Sequence, residues 1–143
     1  MIKHALLAAQ SALGKLSELK YVAEDWGQID YYDPPPVAWP CALIECERAD
    51  YSDAGRGMQI GEGVVTVRVA DLRLFNTSTK APRAGEAYDI FDTLQKVYCA
   101  LQGLSGETFT PLWRVSSVRA RRDDAVREFR MSFRFSFNDI DAL

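Results

Sequence analysis

The side chains that most often carry out catalysis are few in this chain, and their spacing matches no familiar site. The only histidine, His4, lies in the first turn of a predicted helix, where a surface or capping role is far commoner than catalysis. Without a second histidine, a Ser–His–Asp set can be built only around His4 itself. The glycines of GRGMQIGEG fit neither a phosphate-binding loop nor a dinucleotide fingerprint. The sequence therefore predicts that the protein is not an enzyme and uses no cofactor.

Metal ligands are equally scarce. The three cysteines, Cys41, Cys46 and Cys99, are odd in number and lack the spacing of a small disulfide-rich domain, which argues against a disulfide framework. Cys41 and Cys46 lie close together in an apolar run without a histidine nearby, which favours buried free thiols over a metal site. Asp25, Asp30 and Asp33 offer oxygen ligands, but their spacing matches no known cation-binding loop. We therefore predict no metal site.

The composition of the 143 residues is that of one soluble globular domain spanning residues 1–143. Apolar residues make up 48% and charged residues 26%, and the net charge is −3. This net charge argues against a general nucleic-acid binder, which would usually be basic, and no sequence-specific nucleic-acid partner is expected. No apolar run is long enough to span a membrane, and the N-terminus does not have the pattern of a signal peptide.

Two amphipathic helices and five strands are predicted from hydrophobic periodicity. The helices cover residues 2–19 and 85–101, with Gly14 a weak point in the first that costs up to about 1 kcal/mol relative to alanine. The strands cover residues 20–24, 41–47, 64–75, 110–121 and 126–137. The order of elements predicts an α+β fold, with a mostly antiparallel sheet and both helices on one face.

The strand at residues 64–75 changes its alternation partway along. Val65, Val67 and Val69 share one face, whereas Leu72 and Leu74 have the opposite parity. An extra residue near Ala70–Asp71 would restore the alternation, so a β-bulge is predicted there.

The last strand, VREFRMSFRFSF, has one aromatic and one basic face. The phenylalanines are expected to pack under the helices, whereas Arg130 and Arg134 alternate with serines on the other side. Together with Arg119 and Arg121 they would form a basic stripe across a hairpin. No aromatic residue shares the face of Arg130 and Arg134, so base stacking is not indicated. The stripe is solvated, or it meets carboxylates across the sheet or on a neighbouring subunit.

Two connecting segments are singled out by composition. Residues 48–63 are rich in glycine and polar residues, and they are interpreted as a long loop between two strands, of a length that is usually functional or disordered. The segment Trp26–Trp39 combines aromatic residues, acids and prolines and is interpreted as an extended loop.

The layout as a whole resembles the tail terminator and tail-completion proteins of long-tailed bacteriophages and prophages. The similarity lies in the order of an N-terminal helix, an acidic aromatic stretch, PCALIECE, a long loop, GVVTVRVADLRLF, the helix AYDIFDTLQKVYCALQGL and the hairpin WRVSSVRARRDDAVREFRMSFRFSF. The resemblance implies an α+β subunit of a ring, commonly a hexamer, that caps the tail tube protein and presents a surface to the head–tail connector protein. It also implies a place in the virion tail after assembly in the cytoplasm of a bacterial host.

The resemblance gives the charged segments an expected role. Subunits of a ring meet through two different patches. An acidic patch of one subunit would meet the basic strand face of the next, which makes these residues the interface candidates: Glu24, Asp25, Asp30, Asp33, Arg119, Arg121, Arg130 and Arg134. In the glycine-rich loop, Arg56, Met58 and Gln59 are expected to contact the tail tube.

A different class of function stays open at this point. The aromatic loop Trp26–Trp39 has the composition of a recognition surface, so the chain can also be interpreted as a small protein- or ligand-binding module. A ring would support the assembly role, and a discrete partner without a ring would support the binding module.

Overall fold

A computed structural model describes residues 1–74 and 76–142. In that part of the chain the fold is α+β, as predicted: two α-helices and a six-stranded, mostly antiparallel sheet. The elements in chain order are α1 (Ile2–Gly14), β1 (Tyr21–Glu24), β2 (Cys41–Glu45), β3 (Ala49–Gly55), β4 (Met58–Leu72), a 3-10 turn (Glu86–Tyr88), α2 (Asp89–Leu101), β5 (Trp113–Ala120) and β6 (Val126–Asp139).

The sheet has the strand order β1-β2-β4-β6-β5, and β3 lies beside β4 on the side that β2 also uses. β1 and β2 are parallel, whereas β4 pairs antiparallel with β2, β3 and β6, and β5 pairs antiparallel with β6. β1 and β3 therefore form one edge of the described sheet, and β5 forms the other.

Both helices pack on one face of the sheet, here called the helix face, as predicted. The main core joins α1, α2 and the odd-numbered residues of the two long strands. Its members include Ala5, Ala9, Leu13, Ile90, Val97, Val65, Val67, Val69, Phe129, Phe133 and Phe135. The strict alternation of β6 follows from this packing, because successive side chains point to opposite sides of a strand.

The first helix is shorter than predicted. It ends at Gly14 instead of residue 19, and single turns follow, with Leu16 N–H donating to Leu13 and Leu19 N–H donating to Leu16. Glycine has a low helix propensity, which explains the early end. Leu16 and Leu19 still contribute to the core. The second helix is preceded by the 3-10 turn and begins at Asp89.

The predicted bulge near Ala70–Asp71 is wrong. The register of β4 with β6 runs unbroken from Gln59–Asp139 to Leu72–Val126. The parity of the apolar residues changes because the other face of the sheet is also covered at this end, by residues from the Trp26–Trp39 segment. A second core forms there from Ile29, Cys41, Leu43, Ala70 and Val126, with Trp39 and Leu72 packed against it. Phe75, at the end of the predicted strand, lies outside the described residues.

The long loop predicted at residues 48–63 is also wrong. β3 and β4 form a hairpin, so that β4 begins at Met58 rather than Val64. Arg56 and Gly57 have φ angles of 56° and 80°, as the two central residues of a tight hairpin turn require. Gly61 and Gly63 lie within β4, opposite Phe137 and Phe135. A Cβ on Gly61 would lie 2.4 Å from Phe137, so these glycines make room for aromatic rings rather than give freedom to a loop.

Candidate interaction surfaces

Two of the four acidic residues expected at a subunit interface bind an arginine of the same chain. Asp25 and Asp30 accept hydrogen bonds from Arg68, which comes from the middle of β4. Asp25 is almost completely buried in this contact, so its expected role on an exposed acidic patch is wrong. Glu24 and Asp33 are exposed.

All five N–H donors of Arg68 are used. Nε and Nη2 donate to the two carboxylate oxygens of Glu128 at 2.9 Å each. Nη1 donates to Asp25 at 3.0 Å, and Nη1 and Nη2 donate to the two oxygens of Asp30 at 2.8 Å. Arg68 is only 6% exposed. A buried guanidinium needs such a complete set of partners, because an unpaired charge there would be strongly unfavourable.

Glu128 is the acidic centre of the same group. Besides Arg68, it accepts hydrogen bonds from Arg122 at 2.9 Å and from Arg130. Arg122 also binds both oxygens of Asp124, at 3.0 and 2.7 Å. We call this set the arginine cluster: Arg68, Arg122, Arg130, Asp25, Asp30, Asp124 and Glu128.

The cluster controls the ionisation of its carboxylates. Burial by itself favours the neutral acid at Glu128, but hydrogen bonds from Arg68, Arg130 and Arg122 outweigh it and lower the pKa from 4.5 to about 2. The pKa of Asp30 is also lowered, chiefly by its hydrogen bonds with Arg68. Glu128 and Asp30 thus stay ionised at neutral pH, and the cluster ties the segment after β1 to strands β4 and β6.

The cluster was not foreseen, although the sequence carries a signal for it. Arg68 interrupts the run VVTVRVA, which is otherwise apolar apart from one threonine. Charged residues in strands that are otherwise buried need ionic partners. That rule predicts an ionic partner for Arg68, but it cannot identify the partners Asp25, Asp30 and Glu128, which are 38 to 60 residues away in the chain.

The four arginines of the predicted basic stripe do not form one patch. Arg119 lies opposite Phe129 and its guanidinium is over that ring, so it belongs to the helix face. Arg130 and Arg134 lie on the opposite face. Arg130 binds Glu128, which lies two residues before it on the same strand, so this contact is neither across the sheet nor with a neighbouring subunit. Arg134 is exposed, and so is Arg121, which follows β5.

Edge strand β5 exposes large apolar side chains. Trp113 is 67% exposed and Val118 is 58% exposed, and the register places both on the face opposite the helices, beside Arg134 and Arg130. Arg114 and Arg119 point to the helix face, where they contact the rings of Tyr98 and Phe129. An exposed tryptophan on a strand edge is typical of an interaction surface.

The β3–β4 hairpin forms part of the other edge. Of the residues expected to contact the tail tube, Arg56 lies in the turn and is exposed, Gln59 is exposed, and Met58 is half-buried. The hairpin is acidic, with Asp50, Asp53 and Glu62 against the single Arg56 in residues 49–62.

The Trp26–Trp39 segment is only partly available as a recognition surface. Ile29 and Trp39 pack in the second core, whereas Trp26 and Tyr31 are 52% and 83% exposed. Trp26 also contacts the ring of Tyr32 edge-on, with 5.4 Å between ring centroids. The exposed part is therefore a small aromatic patch made of these three residues.

The residues considered for chemistry are dispersed. His4 is exposed, and its Nδ1 lies 2.7 Å from the hydroxyl of Thr108, beside a groove of about 810 Å³ between α1 and the end of β6. Cys41 is buried, as predicted, and burial raises the pKa of its thiol to about 12. Cys46, for which burial was also predicted, is only half-buried, and Cys99 is exposed. Within residues 1–74 and 76–142, no group of three or more His, Cys, Asp or Glu side chains could hold a metal ion.

None of the helices in the described part of the chain is both long and apolar enough to cross a membrane.

Comparison with known proteins finds a likeness to a solved structure. No protein-family model matches the chain, and no curated protein matches it. A chain in the virion of a native gene transfer agent (GTA) particle has a similar fold, with a TM-score of 0.50. The two chains are 15% identical, and the alignment covers 96% of this chain and 92% of the other. At this identity the likeness concerns the fold, and it extends over nearly the whole of both chains.

Proposed function

We propose that this protein is a structural component of a phage-type virion, and more specifically a tail terminator. It forms a ring, which is commonly a hexamer in the family that the chain resembles, and the ring caps the tail tube and joins it to the head–tail connector. The observation that carries the proposal is the likeness in fold, over 96% of the chain, to a protein of a gene transfer agent virion. The order of elements that resembles tail terminators agrees with it.

Two features of the surface support an assembly role. The sheet has an apolar and basic edge at β5 and an acidic edge at the β3–β4 hairpin. Different surfaces on opposite sides of a subunit suit the head-to-tail contacts of a closed ring. The proposal places the protein in the virion tail after assembly in the bacterial cytoplasm, and it gives the protein no catalytic activity and no cofactor.

The test is the mass of the purified protein by light scattering across a concentration series, with negative-stain images of the same samples. A closed ring with a central hole is expected. A protein that stays monomeric when mixed with purified tail tubes, and does not bind their ends, would contradict the proposal.

The second candidate is a small binding module that uses the aromatic patch Trp26, Tyr31 and Tyr32. The exposure of these side chains favours it. In that case, replacing Trp26 and Tyr31 with alanine would abolish capture of a discrete partner, and the protein would form no ring. A ring that is unaffected by the two substitutions would exclude this candidate as the main function.

A further inference from the structure

The sheet has strand edges without a neighbouring strand, and they differ in how they are protected. At β1, side chains cover the outer carbonyls: Gln10 donates to Val22 and Gln28 donates to Glu24. β3 pairs only with β4, and β5 pairs only with β6, among the described strands. At β5, Gln102 accepts the N–H of Arg114, and a bulge follows between Arg114 and Ser116. From Ser116 to Ala120, β5 is a regular edge, and exposed edges are templates for pairing.

These two edges are complementary in charge. Residues 113–121 contain three arginines and no acidic residue, whereas residues 49–62 contain three carboxylates and one arginine. The carboxylates of the hairpin remain available to a partner outside the chain. Asp50 meets Arg48 in a pair that is largely exposed, and such pairs contribute little to stability.

The complementarity of charge also holds on the helix face. The register places Asp53 and Tyr51 on the helix face of β3, and Arg119 on the helix face of β5. On the opposite face, β3 carries Asp50 and Ser52, and β5 carries Ser116 and Val118. If two subunits continue one sheet, Asp53 meets Arg119 on the helix face.

We propose that β5 of one subunit pairs with β3 of a second copy of this chain, so that the sheet continues from subunit to subunit. The contact is heterologous, because β3 and β5 lie at opposite edges of the sheet, and it can therefore close into a ring. This inference rests on the proposed function and replaces the expected contact through Asp25 and Asp30, which the arginine cluster occupies.

A charge exchange tests the contact. Arg119→Asp and Asp53→Arg, made separately, should each raise the dissociation constant of the oligomer at least about tenfold, because each places like charges together. The double variant should bring the dissociation constant back to within about threefold of the unsubstituted protein. Lys80→Asp, a similar charge change on an exposed residue outside both edges, should have no effect. Asp53 also accepts the N–H of Gly55, so the thermal midpoint of each variant is measured to separate folding from association.

Cross-linking gives a second measurement that does not depend on a stable ring. Ser52 and Ser116 lie on the same face of the two edges and are exposed. In a Cys99→Ser background, Ser52→Cys with Ser116→Cys should give a ladder of disulfide-linked oligomers on mild oxidation, whereas either cysteine alone should give dimers at most.

The outcomes separate the two proposals. A ladder together with rescue by the charge exchange supports the pairing of β5 with β3. If rings form with the same dissociation constant in both single variants, and no disulfide-linked ladder appears, this pairing is overturned and the proposed function is left intact. A protein that forms neither ladder nor ring, and does not bind tube ends, overturns both.

Discussion

At the scale of single residues, Arg68 links three parts of the structure. It joins β4 to β6 through Glu128 and to the segment after β1 through Asp25 and Asp30. A buried ion pair adds little net stability when it is complete, but removing one member leaves the others buried without a partner. The cluster therefore specifies which segments meet, and the protein loses stability when one member of the cluster is removed.

We predict that Arg68→Leu lowers the free energy of unfolding by about 3–5 kcal/mol, because three carboxylates lose their shared donor. Urea unfolding followed by circular dichroism measures this. Arg48→Leu is the matched control, since Arg48 and Asp50 are 81% and 69% exposed, and its effect should stay within about 0.5 kcal/mol. Equal effects of the two substitutions would show that the cluster does not hold these segments together.

The pH dependence of stability follows from Glu128. Its pKa is about 2 in the folded chain and 4.5 ordinarily, so the unfolded chain binds more protons between these values. The stabilisation is complete above about pH 4.5 and is lost as the pH falls toward 2. Its size is about 3 kcal/mol, at 1.36 kcal/mol for each pH unit. Asp30 acts in the same direction.

Urea unfolding at several pH values measures this effect. Glu128→Gln should be less stable at neutral pH, and its stability should fall less steeply with acid than that of the unsubstituted protein. Glu107→Gln, at an exposed acid, should leave the slope unchanged. Parallel curves for Glu128→Gln and the unsubstituted protein would contradict the assignment.

At the scale of elements, the sequence predicts most helices and strands, but it misleads where glycine has two possible roles. Gly55 and Gly57 have positive φ angles in the hairpin turn, as loop glycines do. Gly61 and Gly63 are strand residues beneath aromatic rings, and nothing in the local sequence separates the two roles. The distinction depends on Phe135 and Phe137, more than 70 residues away, which only the pairing of β4 with β6 brings near.

Gly61→Ala should therefore destabilise the protein by about 1–3 kcal/mol, because the new Cβ would lie 2.4 Å from the ring of Phe137. Gly14→Ala is the matched control at the end of α1, where a Cβ meets nothing within 4 Å, and it should stabilise by about 0.5–1 kcal/mol. Thermal unfolding of both variants measures the two changes. A neutral Gly61→Ala would mean that Phe137 does not pack against this strand.

At the scale of the whole molecule, hydrophobic periodicity predicts the helix face well and the opposite face poorly. The helix face is covered by regular amphipathic helices, whose stripes can be recognised locally. The opposite face is covered at one end by an irregular segment that contains Ile29 and Trp39. An irregular segment has no period, so its buried residues cannot be recognised in advance, and the change of parity in β4 was misinterpreted as a bulge for that reason.

The two cores share strands β2, β4 and β6, and this predicts how the chain unfolds. Ala42 and Ile44 belong to the main core, whereas Cys41 and Leu43 belong to the second. Because alternate residues of the same strand serve the two cores, unfolding of that strand disrupts both cores together. Residues 1–143 should therefore unfold as the single domain that the composition predicts. Unfolding curves in urea from tryptophan fluorescence and from far-ultraviolet circular dichroism should coincide, as expected for a two-state transition.

Ile29→Ala should move both curves together by about 2–4 kcal/mol, because a buried isoleucine is truncated. Tyr31→Ala, at an 83% exposed residue, should move neither. A fluorescence transition that precedes the loss of secondary structure would instead show that the Trp26–Trp39 segment detaches independently, and the single-domain prediction would then be wrong.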